Sequence, residues 1–156
     1  KYYSNRHRCF PWRERTRIKC LSRKLKKKLN KTSSYRLTSY YPAETSNHTG
    51  SGLETKDFQI NEKGWYTYQG KLVLAGATEE LLKSGYSIRN GNIRQYGKHY
   101  FHYYDTLIIE IDGVRYEAII LDSCGASMWE GYFRLDLFVS SKEYAIDRRG
   151  IKIWLN

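Results

Sequence analysis

Residues 35–156 predict an all-β fold, a closed barrel of short strands. Three observations predict it. From Tyr35 onward Tyr, Thr, Val, Ile and Phe become frequent. Short apolar or alternating runs are separated by turns containing Gly, Asn and Asp, with one helix signal among them. No strand–helix–strand alternation occurs, which argues against a doubly wound sheet.

Taken in order, residues 34–41 (SYRLTSYY) read as the first strand. Residues 42–53 are rich in Thr, Ser, Asn and Gly and read as an exposed loop. A short strand is expected at 57–60, ahead of a turn at 61–64. Residues 71–75 (KLVLA) form an apolar strand. Residues 78–83 make the one expected helix. Thr78 is its N-cap, Glu79 and Glu80 occupy the first turn, and Gly85 follows its end. Residues 86–99 are polar and read as a long loop. Residues 106–111 and 114–121 are strands joined at Asp112-Gly113, a pair suited to a two-residue hairpin turn. Residues 132–139 and 151–155 supply the last strands.

Charge divides the chain. The net charge is +11, but residues 1–31 hold 13 of the 27 Lys and Arg and one acid, Glu14, for +12. The other 125 residues sum to −1. The positive charge therefore belongs to a basic N-terminal arm, residues 1–34, and not to the domain. Within the arm Leu21, Leu25 and Leu29 recur at helical spacing among basic residues, giving a short amphipathic helix. Nucleic acid, an anionic membrane and teichoic-type polymers are its polyanion readings; docking on neighbouring subunits is the other. Docking or anchoring is the expectation, since no nucleic-acid motif accompanies the arm. No apolar run reaches the roughly 18 residues of a membrane-spanning helix. The chain begins at Lys1 without an initiator Met, as a fragment or processed form would.

Cys9 and Cys20 either close a small loop or remain free thiols. Cys124 lies in an apolar stretch and reads as a small buried hydrophobe. The cysteine spacing offers no zinc site.

Two carboxylates stand where a charge is unwelcome. Asp122 ends the run EAIILD, and Asp136 sits inside RLDLFV. Such groups must be paired, hydrogen-bonded or partly neutral. A desolvated carboxyl near a second acid suits general acid catalysis. Each also has a structural reading: Asp136 facing solvent by alternation, and Asp122 capping the turn at 123–125.

Ordered motifs extend the pattern. Thr38-Ser39-Tyr40 lies in the first strand, and Ser51-Gly52 closes the following loop. An apolar strand and a hairpin lead to Asp122-Ser123-Cys124-Gly125; Arg134-Leu135-Asp136-Leu137-Phe138 follows. In this order the chain resembles the three-aspartate (3D) domain, a double-psi β-barrel family of bacterial lytic transglycosylases and cell-wall enzymes. Expansins, related endoglucanases and rare lipoprotein A share that barrel. The chain departs from the family where residues 71–77 lack its first aspartate, and where Ala126 replaces a glycine.

The resemblance implies a six-stranded double-psi β-barrel with one short helix and the basic arm. It implies a peptidoglycan lytic transglycosylase acting between muramic acid and glucosamine, without metal or cofactor. Asp136 becomes the general acid and base, and Asp122 the aspartate that orients it. Thr38, Tyr40, Gly125, Trp129 and Arg134 become substrate-binding residues. The partners implied are peptidoglycan glycan strands, with neighbouring subunits or anionic envelope polymers on residues 1–31. The place implied is extracellular, in a cell wall or virion. An inverting hydrolase with Asp105 or Asp122 as second carboxylate is the alternative within the fold. Tyr41, Trp65, Tyr66, Tyr68 and the aromatic run at 100–104 are further candidates to line a glycan groove. His102 reads as a proton shuttle or as an ordinary surface or core histidine. The competing classes are a non-catalytic glycan-binding or structural module of a virion, tail or secretion assembly, and a nucleic-acid binder driven by the arm.

Overall fold

Alternation in the chain is converted directly into the wall of a barrel. The computed structural model describes residues 35–83, 101–125 and 134–155. Its strands are β1 (Tyr35–Tyr40), β2 (Gln59–Ile60), β3 (Tyr66–Tyr68), β4 (Lys71–Gly76), β5 (Thr106–Ile111), β6 (Val114–Ser123), β7 (Arg134–Phe138) and β8 (Arg148–Leu155). Two short helices, α1 (Pro42–Thr45) and α2 (Glu79–Lys83), and two 3-10 turns, Thr55–Asp57 and Lys142–Tyr144, join them.

Six strands close on themselves in the order β7-β4-β6-β5-β8-β1, with β1 returning to β7. The β1–β7 and β4–β6 pairs are parallel and the other four are antiparallel. The β2–β3 hairpin lies outside the ring. It pairs with the start of β4, along the edge that β7 occupies further on.

Strand β5 shows the inward–outward rule most simply. Leu107, Ile109 and Ile111 are buried in the barrel, while Thr106, Ile108 and Glu110 are partly exposed. The turn after it holds Asp112 at φ 51° and Gly113 at φ 81°, which the short hairpin requires. Strand β6 changes character midway. It is exposed at its start and continuously buried from Ala118 to Leu121. The reason is a second core on the outside of the barrel. There Tyr40 stacks on Phe138 at 4.5 Å, with Phe58, Tyr66, Val73 and Leu121 around them.

Several expectations are corrected. The described residues hold two α-helices, not one. Residues 42–53 were expected as plain loop, but Pro42 starts α1, where its fixed φ and missing N–H cost nothing. The barrel has six strands as expected, but two more form the appended hairpin. The strand expected at 57–60 begins only at Gln59, because Thr55–Asp57 is a 3-10 turn. Strand β8 starts at Arg148, three residues early, where the Arg148 guanidinium meets Asp112 at 2.9 and 3.2 Å. Tyr40, Trp65, Tyr66 and Phe101 are buried in the two cores, so their rings do not line an open groove. The arm with Cys9, Cys20 and its expected helix, the loop at 86–99, Ala126, Trp129 and the first two residues of the strand expected at 132 lie outside the described residues.

Candidate active site

A row of paired residues crosses four neighbouring strands. Thr38 on β1 is opposite Asp136 on β7. Asp136 is opposite Ala75 on β4, and Ala75 is opposite Asp122 on β6. The last step depends on a bulge. Leu74 pairs with Ile120 and Ala75 with Asp122, so Leu121 is an extra residue on β6. Ile120 faces the barrel interior. Strict alternation would send Asp122 inward too; the bulge turns it to the outer face that carries Asp136. Two interstrand steps set the two Cα atoms about 9–10 Å apart.

Asp136 is only 7% exposed, and every donor around it is accounted for by local geometry. The Thr38 hydroxyl donates to its Oδ1. Arg134 stands two residues earlier on the same strand, hence on the same face. Its Nε donates to Asp136 Oδ1 at 3.0 Å and to Thr38 Oγ1 at 2.9 Å. The Cys124 thiol lies 2.8 Å from Asp136 Oδ2. A buried carboxylate is tolerable under these terms: one cationic partner and hydrogen bonds on both oxygens.

Asp122 is held differently. Its Oδ1 accepts the Gly50 N–H at 2.7 Å and the Ser123 N–H at 2.8 Å. Burial pushes its carboxyl above the usual carboxylate range; the two amides and the Tyr40 hydroxyl pull it down, and the charge of Asp136 pushes it up. Burial, then the neighbouring Asp122, push the Tyr40 phenol well above its ordinary value. The Tyr40 hydroxyl stands beside Asp122, yet no hydrogen bond of ordinary geometry joins them.

The loop after α1 delivers Gly50. Thr49 Oγ1 bonds the Leu53 carbonyl at 2.8 Å, and the Ser51 N–H bonds the Leu121 carbonyl at 3.1 Å. A side chain at position 50 has no room: its Cβ would collide with the Tyr103 hydroxyl and crowd Asp122. That hydroxyl bonds Ser123 Oγ at 2.7 Å, and Ser123 in turn meets Thr78, the cap of α2. The site is thus tied from the barrel wall to the helix.

Among the residues singled out in the sequence, Thr38, Asp136, Arg134, Asp122 and Tyr40 come together. Gly125 follows Cys124 and is partly buried. Asp105 is engaged elsewhere, its carboxylate accepting the His102 N–H at 2.8 Å. His102 is exposed, within 3.6 Å of Glu79 and 3.4 Å of Glu80. Sequence reasoning missed Gly50 and the polar role of Cys124; Tyr103 was expected within the aromatic run at 100–104 and Ser123 within the motif at 122–125, but not their contact with each other. The signal for Gly50 was present in Thr49-Gly50-Ser51-Gly52, two glycines in four residues. Cys124 is buried as expected, and it also touches the carboxylate. Among the described residues no three His, Cys, Asp or Glu side chains gather as metal ligands.

Chemically, the row offers one buried carboxyl ringed by donors that stabilise its charge, and a second carboxyl held by backbone amides. No family model, no curated protein and no solved structure matches this chain.

Proposed function

We propose that the chain is a cell-wall-active protein that cleaves peptidoglycan glycan strands as a lytic transglycosylase, with Asp136 as general acid and base. One observation carries the reading: Thr38, Asp136 and Asp122 lie in one paired row, and a bulge at Leu121 brings the second aspartate to the face of the first. The two parallel pairs of the six-stranded ring support the finer double-psi reading of the fold.

In the reaction, Asp136 in its acid form gives its proton to the glycosidic oxygen between muramic acid and glucosamine. The C1–O bond breaks and the glucosamine hydroxyl leaves. The Asp136 carboxylate, stabilised by Arg134 and Thr38, then takes the proton of the muramic C6 hydroxyl as that oxygen bonds to C1. A 1,6-anhydro ring forms, Asp136 regains its proton, and no water is consumed. Asp122 remains a carboxylate on the Gly50 and Ser123 amides and orients the site. The basic residues 1–31 suit anchoring to an anionic envelope polymer or a neighbouring subunit, at a cell wall or virion.

A second reading, glycan binding without cleavage in a structural module, has its own observation. Ala75 stands between the two aspartates, where a further carboxylate would complete the resemblance. The two readings part on one assay. Clearing of purified peptidoglycan by the full chain is expected, with a loss of at least about 100-fold in Asp136→Asn. Equal clearing by both rejects Asp136 as the acid, and clearing by neither, with binding retained, favours the structural module.

A further inference from the structure

Tyr40 was expected to contact substrate; its ring is packed in the outer aromatic core instead. It is 8% exposed, and one face stacks on Phe138 at 4.5 Å with 12° between the planes. Tyr66 and Phe58 pack against the far side of that pair. The hydroxyl is therefore what remains to be explained. Tyr40 lies two residues beyond Thr38 on β1, and its partner Phe138 lies two beyond Asp136 on β7. Period-two alternation puts all four on the outer face, in two adjacent rows.

Among the described residues that hydroxyl, fully buried, has no hydrogen bond of ordinary geometry. Asp122, beside it, takes both amide bonds on Oδ1. A buried donor without an acceptor of ordinary geometry thus stands beside a carboxylate whose two amide bonds both fall on one oxygen. Leaving a buried polar group unsatisfied is costly, and a small rotation of either side chain would relieve it. Among the described residues, the titratable groups that act on the hydroxyl are Asp122 on β6, Asp136 on β7 and Cys124 just after β6. Arg134 and Thr38 already occupy Asp136 Oδ1, and Cys124 its Oδ2. Asp122 is left as the acceptor.

We infer that Tyr40 is a positioning residue: its hydroxyl closes on the Asp122 carboxylate and holds that side chain in its orientation. The role rests on the proposed reaction for its use, because it keeps Asp122 ionised and oriented while Asp136 cycles its proton. The link itself does not depend on that reaction. Burial and Asp122 keep the phenol protonated, so it acts as a hydrogen-bond donor at every working pH.

The test is carbon NMR on the full chain with labelled tyrosine Cζ and aspartate Cγ. The wild-type Tyr40 Cζ resonance is expected to move with pH at the same midpoint as Asp122 Cγ. Tyr40→Phe keeps the ring stack, and the Asp122 midpoint is expected to shift upward in it; Asp136→Asn is expected to shift it downward. A Tyr40 resonance that stays flat while Asp122 titrates overturns the inference, as does an unchanged Asp122 midpoint in Tyr40→Phe. Should Tyr40→Phe fail to fold, the wild-type measurement decides alone. With peptidoglycan, the pH profile of kcat is expected to move in Tyr40→Phe with KM unchanged. Absence of any turnover rejects the proposed reaction and leaves the NMR result standing.

Discussion

At the scale of single residues, the two aspartates are held by opposite devices, and the difference is measurable. Asp136 has a cation, a hydroxyl and a thiol around it. Asp122 has backbone amides and burial, and burial wins: its carboxyl is raised above the ordinary 3.8. The folded chain therefore binds that proton more tightly than the unfolded chain does. Ionising Asp122 subtracts from stability as pH rises from 3.8 through the raised value. Asp122→Asn lacks this loss. Its stability relative to wild type is expected to climb across that window and to level off above it, read by urea unfolding at a series of pH values. A difference that stays flat, or falls as pH rises, contradicts the account of Asp122. Both aspartates were legible in the sequence because each sits in an apolar run. Cys124 was half legible, since hydropathy reports burial but not what a thiol touches. The contact between Ser123 and Tyr103 carried no sequence signal, because it requires the loop, β6 and α2 to be placed together.

At the scale of elements, the site is made by an irregularity rather than by regular strands. The bulge at Leu121 and the loop around Gly50 both act on Asp122. Gly50→Ala is expected to lower stability by about 1–3 kcal/mol, because the new methyl meets the Tyr103 hydroxyl and Asp122. Chemical denaturation checks it; a variant as stable as wild type, with Asp122 titrating unchanged, would mean that the loop does not hold the carboxylate. Alternation and turn chemistry made β1, β4, β5, β6 and the Asp112-Gly113 turn legible. Three-residue β3 was not, since YTY between turns is too short for a period to show. The bulge was not legible either. A one-residue slip leaves the apolar run EAIIL unchanged, and only pairing with β4 reveals it.

At the scale of the whole molecule, six strands close so that one face of the wall is lined twice, by the barrel interior and by an outer aromatic core. That second core takes up Tyr40, Phe58, Tyr66 and Phe138, whose rings are therefore not free to stack on sugars. It also explains how Asp122 and Asp136 come to be desolvated on an outward face. The closed all-β architecture was legible from composition and turn spacing; the second core was not, because Tyr and Trp serve cores and binding sites equally well. The charge division was legible outright: residues 1–31 carry +12 and the other 125 residues −1. The central claim is that one carboxyl, Asp136, cleaves the glycan without water. Digestion of purified peptidoglycan by the full chain in heavy-oxygen water, with products read by mass spectrometry, tests it most directly. The account predicts 1,6-anhydro-muropeptides that carry no heavy oxygen, and none of them from Asp136→Asn. Heavy oxygen at the new reducing ends, or undiminished release by Asp136→Asn, would contradict it.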